Sequence, residues 1–417
     1  MFNLNEQLTE QVANKLSSDW GLLITTGLLL VVVMLTFISN LDEAVSKAMH
    51  RIEEMCNKYN EDELYISYSG GRDSTVILWL CLQCYNLGTI PYLPKAVFSD
   101  TGLEMQAIKE FVEEFKKCYP NIITIKPEKS FVYCIKTYGK PMISKLKGQF
   151  IKTYQKALKK NNNCFLDLNK VSGNSRIALL IGKSDFEKDG TTSRYRLAKK
   201  HLQVLHPDFN IKVADECCHT LKKKPFEKFA LENNIKAFMD GEMASEGGIR
   251  KSAYEKRLKN GGKGCTSLKE IGEGKNKRTL EKRMPIIDWT EEVEEEYIQK
   301  YNVPLSKAYT TYGCKRTGCF LCPYAKSNKD LTERLKVLWD FEPKTYKYAL
   351  ATMKDVYIAQ NIELPFDQEY EKERISAQDA YSKMRDEVEQ VYHQGLEPKN
   401  HKISLKKYYQ MSIFDFM

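Results

Sequence analysis

The segment LYISYSGGRDSTVILWLCLQCY, residues 64–85, decides the fold. Leu64 to Tyr68 is a short apolar run bounded by polar residues, which predicts a buried strand. Ser69 to Ser74 is a glycine turn, and the apolar run from Thr75 to Tyr85 predicts a buried helix. A strand, a glycine turn and a helix in this order are typical of the first unit of an α/β domain.

The same alternation continues along the chain on both sides of this segment. An amphipathic helix is predicted before it, over Leu41 to Tyr59, and another over Glu104 to Cys118. Further strands are predicted at Lys95 to Ser99, Ile122 to Ile125 and Lys236 to Asp240. Strands alternating with helices predict a doubly wound parallel sheet that is covered by helices on both faces.

The chain is expected to divide into three parts. Residues 1–40 form an N-terminal anchor segment, residues 41–325 the α/β domain, and residues 326–417 a helical C-terminal region. A lysine-rich insertion at 144–212 lacks strand signals and is predicted to be mostly helical. Within the domain, the glycine- and lysine-rich stretch 247–282 is predicted to be a mobile loop.

Composition limits the classes of protein that need to be considered. The 417 residues are 42% hydrophobic and 29% charged, which excludes a collagen-like, a wholly disordered or a polytopic membrane chain. The net charge of +9 is compatible with phosphate-bearing partners but is far from that of a dedicated nucleic-acid binder. Twelve cysteines are too dilute for a disulfide scaffold, which indicates reduced thiols and some metal ligands. Cys81 and Cys84 lie inside the predicted buried helix, and we expect them to be core residues.

Residues 21–39, GLLITTGLLLVVVMLTFIS, carry no charge and are long enough to predict a single membrane anchor. A buried core helix and a cleaved signal peptide are the alternatives. The second is disfavoured because only Lys15 is basic before the run, and no small-residue cleavage site follows it. We expect the rest of the chain to be a cytoplasmic catalytic domain that one N-terminal helix tethers to a membrane.

The turn between the first strand and its helix has the composition of an anion-binding loop. Two glycines let the backbone turn sharply, so that consecutive N–H groups and the helix N-terminus can receive a pyrophosphate. The hydroxyls of Ser69 and Ser74 add donors, and Asp73 could hold Mg²⁺ against the phosphates. A plain tight turn is the alternative. The complete loop consists of Ser69, Gly70, Gly71, Arg72, Asp73 and Ser74. It resembles the PP-loop of the adenine nucleotide alpha hydrolases, enzymes that split ATP between its alpha and beta phosphates.

The next predicted strand also ends in polar residues. Ligands of a doubly wound sheet lie at the carboxyl ends of the strands, so these residues should face the same crevice as the glycine loop. Alone, they could form a generic turn that caps the following helix. Together with the loop they resemble the second signature of the phosphoadenylyl sulfate (PAPS) reductase family. The resemblance implies catalytic roles for Asp73, Ser74 and Asp100, and nucleotide contacts for Ser99, Thr101 and Glu104.

Three further segments, within a resemblance that covers roughly residues 41–325, are similar to motifs of this family. They are CCHTLKKKP at 217–225, PIIDW at 285–289 and YGCKRTGCFLCPY at 312–324. A family segment that usually reads Gly, any residue, Arg and then acidic residues begins here at Gly241. Met243 replaces the arginine, whereas Glu246 and Arg250 fit, so Arg250 is predicted to contact the nucleotide.

The later cysteines have the spacing of metal ligands. Cys314-x4-Cys319-x2-Cys322 matches the three-ligand run of plant-type ferredoxins, and Cys217 or Cys218 could supply the fourth ligand. In sulfonucleotide reductases with a [4Fe-4S] cluster, a tandem pair and a later C-x-x-C are the ligands. By that resemblance the set here is Cys217, Cys218, Cys319 and Cys322. A structural Zn²⁺ with four thiolates is the alternative to an iron–sulfur cluster.

The proteins that this chain resembles catalyse more than one reaction. Thiol-dependent PAPS and adenylyl sulfate reductases use a nucleophilic cysteine near the C-terminus, and no cysteine follows Cys322 here. The intact loop therefore favours an ATP pyrophosphatase that adenylates an acceptor oxygen, so that sulfur or nitrogen can displace AMP. The ATP-using component of DNA phosphorothioation systems is the nearest relative of this kind. It implies a nucleic-acid substrate and a sulfur-donor protein, such as a cysteine desulfurase or a thiol carrier.

Two other functions stay open. A PAPS or adenylyl sulfate reductase would need a thiol from a partner protein. A non-catalytic nucleic-acid-binding module would use the basic insertion, although a solvated helical face is the commoner meaning of such a segment. Release of pyrophosphate from ATP separates the adenylating enzyme from both.

Overall fold

The computed structural model describes residues 40–173, 175–183, 195–325 and 327–392. The predicted membrane anchor at residues 21–39 lies outside these ranges. Among the helices within them, none combines the length and the apolar character that a membrane crossing requires.

The centre of the fold is a six-stranded sheet in the order β3-β2-β1-β4-β6-β5. All neighbouring strands run parallel except β5, which pairs antiparallel with β6. In the register of the sheet, Tyr65 lies opposite both Lys95 and Phe238. The strands are β1 (Leu64–Tyr68), β2 (Lys95–Ser99), β3 (Ile122–Ile125), β4 (Ala237–Met239), β5 (Thr266–Ile271) and β6 (Arg278–Arg283). This arrangement confirms the predicted α/β fold with a mostly parallel sheet.

Helices surround the sheet and make up most of the remaining described chain. The first half contains α1 (Asn40–Lys58), α2 (Arg72–Asn86), α3 (Gln106–Phe115), α4 (Phe131–Thr137), α5 (Lys145–Lys160) and α6 (Arg176–Ile181). A π-helical stretch, His219–Lys223, joins α7 (Glu216–Cys218) to α8 (Lys224–Glu232). The remainder consists of α9 (Gly248–Lys259), α10 (Glu291–Lys300), α11 (Lys307–Thr310), α12 (Asn328–Phe341), α13 (Pro343–Ala359) and α14 (Gln368–Tyr392).

The sequence predicts the first three strands to the residue but fails on a later stretch. β1, β2 and β3 are recognisable because helices cover both faces of a parallel sheet, which makes its strands continuously apolar. The prediction of a mobile loop at 247–282 is wrong, since this stretch contains α9, β5 and the first part of β6. β5 is an edge strand rich in polar residues, and its Leu268 is 70% exposed, so its pattern does not resemble a buried strand.

One apolar core lies on each face of the sheet. On one face, Ile66 and Tyr68 of β1 pack with the helices α1, α2, α3 and α10. On the other, Tyr65 stacks on Phe238 with ring centres 5.5 Å apart, beneath α8. Cys81 and Cys84 are fully buried in the first of these cores, which confirms that they are core residues.

A second, helical layer joins the lysine-rich insertion to the C-terminal helices. The hydroxyl oxygens of Tyr154 on α5 and Tyr392 on α14 lie 2.7 Å apart in a buried hydrogen bond. The buried Gln203 amide donates to the carbonyl oxygen of Ala359 at 2.5 Å. The two segments therefore share one apolar core, and Cys217 and Phe320 belong to it.

Candidate active site

The glycine loop connects β1 to α2 and packs closely against α3. Gly70 has a φ of 69°, in the left-handed region that favours glycine. A Cβ atom at this position would lie 2.8 Å from the Ile108 Cγ2 atom and 2.9 Å from the Val112 Cγ2 atom. Real side chains do not approach so closely, so both the backbone conformation and the packing require glycine at position 70.

Hydroxyl groups within the loop hold its shape. The Ser69 N–H donates to the Ser74 hydroxyl at 3.2 Å, and the two serine oxygens lie 3.0 Å apart. The Gly71 N–H donates to the Ser69 hydroxyl at 3.2 Å. In contrast, the N–H groups of Gly70 and Asp73 make no hydrogen bond within the described part of the chain. Two backbone donors at the N-terminus of a helix are thus available to an anion.

A tyrosine that no motif marks supports the loop from a distant segment. The Arg72 N–H donates to the Tyr309 hydroxyl at 3.2 Å, and that oxygen lies 2.7 Å from the Thr317 hydroxyl. Tyr309 is on α11, and Thr317 is in the cysteine segment of residues 312–324. The glycine loop is therefore hydrogen-bonded to the segment that carries Cys319 and Cys322.

Glu294 is a second residue of the site that the sequence does not reveal. It lies on α10 with a fully buried side chain, and its carboxylate is 2.7 Å from the Arg72 Nε atom. Burial and the charge of the nearby Asp73 raise the pKa of Glu294 to about 8, although Arg72 acts in the opposite direction. The glutamate-rich run of residues 291–296 resembles a solvated helix face. Glu294 nevertheless precedes the buried Tyr297 and Ile298 by three and four residues, a spacing that places it on the inward face.

The residues after β2 form a compact turn beside the loop. The Asp100 carboxylate accepts from the Gly102 N–H at 3.1 Å and pairs with the Lys109 ammonium at 3.0 Å. Burial acts to raise the pKa of Asp100, but these two contacts outweigh it and hold the pKa below its usual value. Asp100 is thus ionised and is bound to groups of the turn and of α3. Its catalytic role stays a prediction.

The other predicted nucleotide contacts in this turn are tied to protein groups. The Thr101 hydroxyl donates to the Glu104 carboxylate at 2.7 Å, and the Thr101 N–H donates to the same carboxylate at 3.0 Å. The Ser99 hydroxyl donates to the carbonyl oxygen of Leu221 at 3.3 Å, next to the tandem cysteines. The turn therefore links the end of β2 to the cysteine-bearing helices.

The segment that begins at Gly241 closes the loop from the side of β4. A Cβ atom on Gly241 would lie 2.8 Å from the carbonyl carbon of Asp73, so the two backbones are in direct contact. Met243, which stands where the family usually has arginine, is only 1% exposed and packs in the sheet core. Arg250 forms an ion pair with Glu246, which also binds Arg316 at 2.5 Å. No hydrogen bond or ion pair within the described residues joins the Arg250 side chain to the glycine loop.

Four of the five predicted cysteine ligands line one small cavity. The other lining residues are Leu103, Phe131, Pro141, Leu221, Lys222 and Leu321, and the cysteines are Cys217, Cys218, Cys319 and Cys322. Cys314, which the ferredoxin-like spacing includes, does not line it. No three His, Cys, Asp or Glu side chains within residues 40–173, 175–183, 195–325 and 327–392 have the arrangement of a single-ion site.

The four thiols of this cavity differ in acidity: the pKa values of Cys217, Cys319 and Cys322 are raised, whereas a hydrogen bond with Cys217 lowers the pKa of Cys218. Burial and the neighbouring Cys319 raise the pKa of Cys322 to about 12, and burial raises that of Cys319. Burial acts to lower the pKa of Lys222, but Cys319, Glu104 and Cys218 together raise it. Thiols must lose their protons to bind a metal, and the Lys222 ammonium would stabilise the resulting thiolates.

The thiol cavity and the glycine loop adjoin. The Phe320 N–H donates to the carbonyl oxygen of Leu103 at 2.9 Å, which joins the Cys319-x2-Cys322 turn to the residues after β2. Leu103 lines the thiol cavity, and the negative charge of Glu104 raises the pKa of Lys222, which also lines it. Together with the Tyr309 and Thr317 contacts, these bonds place the cavity directly against the crevice at the carboxyl ends of β1 and β2.

Three solved structures show distant similarity to this chain. A PAPS reductase from Candida auris in complex with phosphate is 13% identical, with 65% of this chain and 87% of that chain covered and a TM-score of 0.36. An FMN adenylyltransferase from Candida glabrata with FMN and an ATP analogue is 14% identical, covers 68% and 64%, and has a TM-score of 0.36. This chain thus spans less than two thirds of the adenylyltransferase.

A third structure is the U34-tRNA thiolase NcsA from Methanococcus maripaludis with its [4Fe-4S] cluster, at 12% identity, 78% and 82% coverage and a TM-score of 0.31. At such TM-scores these similarities carry no argument about function. Curated protein sequences give no significant match. The sequence model of the phosphoadenosine phosphosulfate reductase domain, in contrast, matches residues 63–182 and 176–325. Because these matches span more than half of the chain and include the glycine loop and the thiol cavity, the protein belongs to the phosphoadenosine phosphosulfate reductase family.

Proposed function

We propose that the protein is an ATP pyrophosphatase that adenylates an acceptor oxygen for later sulfur transfer, with an iron–sulfur cluster beside the nucleotide. The observation that carries this proposal is the hydrogen-bonded connection, through Tyr309 and Thr317, between the glycine loop and the cysteine segment that helps to line a cavity of four thiols. A loop alone would suit any nucleotide-binding protein, and a thiol cavity alone would suit a structural metal site. Their proximity at the carboxyl ends of β1 and β2 favours chemistry that uses both.

In the proposed reaction the loop binds the leaving group. The free N–H groups of Gly70 and Asp73 and the N-terminus of α2 hold the pyrophosphate, and the Asp73 carboxylate holds the accompanying Mg²⁺. An acceptor oxygen attacks the alpha phosphorus while the bond to the bridging oxygen breaks, and pyrophosphate leaves with that electron pair. The acceptor then carries AMP, which a sulfur nucleophile displaces. Arg72, now paired with Glu294, is positioned to neutralise phosphate charge at the loop.

The residues that would hold the cluster are Cys217, Cys218, Cys319 and Cys322, since these four share the cavity. The donor set fits, because thiolates are the usual ligands of iron–sulfur clusters. A cluster bound there would supply a redox-active centre at the edge of the crevice. Lys222 would balance the negative charge of the thiolates and lies close to Glu104.

The test is to follow ATP cleavage in the anaerobically purified full-length protein. We expect AMP and pyrophosphate to form in the presence of Mg²⁺ and an acceptor, and we expect the Gly71→Val and Asp73→Ala variants to lose this activity. A valine at position 71 would crowd the Ser69 hydroxyl, which lies 3.0 Å from the Cβ position. Release of ADP and inorganic phosphate, or unchanged nucleotide affinity in both variants, would contradict the assignment.

A sulfonucleotide reductase is the second candidate, and the shared cavity of the tandem pair and the C-x-x-C favours it. That set matches the ligands expected of cluster-bearing reductases. Such an enzyme would form sulfite from PAPS or adenylyl sulfate when a thiol protein is supplied. Sulfite formation without pyrophosphate release from ATP would select this candidate over the first.

A further inference from the structure

One arginine beside the glycine loop belongs to a group of charges that do not balance. At the neighbouring turn after β2, Lys109 has the carboxylate of Asp100 as its own partner. Arg316, in contrast, shares the single carboxylate of Glu246 with Arg250. Two guanidinium groups and one carboxylate leave one positive charge over. This group of three side chains can therefore attract an anion.

Glu246 holds the Arg316 side chain in place and leaves most of its donors free. The Glu246 side chain is only 7% exposed, and it accepts a hydrogen bond from the Arg316 Nη2 atom at 2.5 Å. The described residues give the Arg316 guanidinium no other hydrogen bond, although such a group has five N–H donors. The Arg316 side chain is 47% exposed, so its remaining donors can reach a ligand.

The residue that follows Arg316 touches the glycine loop. The Thr317 hydroxyl oxygen lies 3.5 Å from the position that a Cβ atom on Gly71 would occupy. The same oxygen lies 2.7 Å from the hydroxyl of Tyr309, which supports the loop. A Cβ atom on Gly318 would have no atom within 4 Å, so the segment borders open space. Arg316 is thus one residue away from contact with the N-terminus of α2, at the edge of the crevice.

The segment that carries Glu246 also contacts the loop. It begins at Gly241, where a Cβ atom would lie 2.8 Å from the carbonyl carbon of Asp73. The ion pair between Arg316 and Glu246 therefore joins two segments, one of which meets the loop at Gly71 and the other at Asp73. This ion pair bridges them beside the turn at which phosphates would bind.

The loop itself has little positive charge to spare for a triphosphate. Arg72 already lies 2.7 Å from the carboxylate of Glu294 and 3.6 Å from that of Glu295. Asp73 adds a negative charge next to it in the chain. A triphosphate carries more negative charge than one Mg²⁺ ion neutralises, so a further cation at the crevice would stabilise the bound nucleotide.

We propose that Arg316 binds the pyrophosphate part of ATP and that Glu246 positions it. The inference rests on the proposed function, because it takes ATP as the nucleotide at the glycine loop. A planar guanidinium can bind two phosphate oxygens at once, which suits Arg316 to the leaving group of the proposed reaction. Met243 is buried in the sheet core and offers no charge to the crevice, so Arg316 does not duplicate a contact from that position.

The test measures the binding of three ligands to the full-length protein by isothermal titration calorimetry in the presence of Mg²⁺. They are inorganic pyrophosphate, AMP and an ATP analogue with a methylene group between its alpha and beta phosphates, which the proposed reaction cannot cleave. The variants are Arg316→Gln and the conservative Arg316→Lys. Lys315→Gln is the matched control, because it removes a positive charge from the adjacent exposed residue, for which the described ranges contain no ion pair. Circular dichroism checks that each variant is folded.

We expect Arg316→Gln to weaken the binding of the analogue and of pyrophosphate by about tenfold to a hundredfold, the effect of losing hydrogen bonds between charged groups. AMP lacks the pyrophosphate, so its affinity should stay within about twofold of the wild type. Arg316→Lys keeps the charge but not the planar fork, and it should lose less affinity than Arg316→Gln. Lys315→Gln should stay within about twofold for all three ligands, because solvent and salt screen an exposed charge.

An unchanged affinity for pyrophosphate in Arg316→Gln would overturn the proposal. An equal loss for pyrophosphate and AMP would also overturn it, since it would assign Arg316 to the structure of the loop. So would an equal loss in Lys315→Gln, which would indicate a diffuse effect of charge. If the wild type releases pyrophosphate from ATP while Arg316→Gln binds the analogue normally, the proposed function stands and this inference alone is refuted. A wild type that binds neither the analogue nor pyrophosphate would refute both.

Discussion

Replacing Glu294 with glutamine should change how the stability of the protein depends on pH. The side chain is fully buried, and its pKa is raised from 4.5 to about 8 by burial and by Asp73. Glutamine has nearly the same shape but cannot ionise. A carboxyl group with a raised pKa stabilises the folded state below its unfolded pKa, and this contribution is lost as the pH rises through the folded pKa.

The size of the effect follows from the width of this pH window. Each pKa unit corresponds to about 1.4 kcal/mol, so ionisation of Glu294 should reduce the free energy of unfolding by roughly 5 kcal/mol once the pH exceeds about 8. The loss is already about 1.4 kcal/mol at pH 5.5 and reaches about 4.6 kcal/mol at pH 8.5. Relative to the wild type, Glu294→Gln should therefore gain about 3 kcal/mol between pH 5.5 and pH 8.5.

Urea denaturation at these two pH values measures the difference directly. Glu296→Gln is the matched control, because it removes an exposed carboxylate from the same helix. If the difference in unfolding free energy between Glu294→Gln and the wild type is the same at both pH values, Glu294 does not titrate as the buried geometry requires. The account of its contact with Arg72 and Asp73 would then be wrong.

Three further predictions concern the loop, the cluster and the N-terminal segment. Gly70→Ala should weaken ATP binding at least tenfold, because the new Cβ atom would overlap Ile108. Gly88 has a similar φ of 72° but no atom within 4 Å of its Cβ position, so Gly88→Ala should leave ATP binding unchanged and cost about 1 kcal/mol of stability. Equal ATP affinities of the two variants, measured by calorimetry, would refute the packing argument. Cys319→Ser should lose iron and acid-labile sulfide together with the absorbance near about 400 nm, and Cys314→Ser should keep them; stoichiometric zinc without sulfide in the wild type would replace the cluster by a structural zinc site. Deletion of residues 1–39 should give a protein that needs no detergent and still binds ATP, since α1 begins at Asn40; recovery of the intact protein without detergent would contradict the predicted anchor.

The sequence predicts the parts of the fold that depend on local pattern. β1, β2 and β3 are short apolar runs between turn residues, and the glycine loop lies where its composition predicts it. β5 escapes prediction because an edge strand needs only one covered face, and its charged residues resemble those of a loop. The residue alternation of β5 is informative only once β6 is known to be its partner.

Long-range contacts set the limit of prediction at the site. Glu294 is hidden in a glutamate-rich run, and its partner Arg72 comes from a segment more than 200 residues earlier, so the sequence does not reveal their contact. Tyr309 lies in no motif, because its contact with the Arg72 N–H is created by the folding of α11 against the loop. Cys314 fits a ligand spacing along the chain, yet the folded chain does not bring it to the thiol cavity.

The order of the four thiols along the chain has a consequence for biosynthesis. Cys217 and Cys218 leave the ribosome first, and residues 219–318 must follow before Cys319 and Cys322 are made. The cavity also depends on the core that the insertion shares with the C-terminal helices, which are translated last. A nascent chain can therefore carry a complete glycine loop long before it can form the cavity of four thiols. Assembly of the proposed cluster would be a post-translational step, and a truncated chain that ends before residue 319 would keep the loop but lack two of the four thiols.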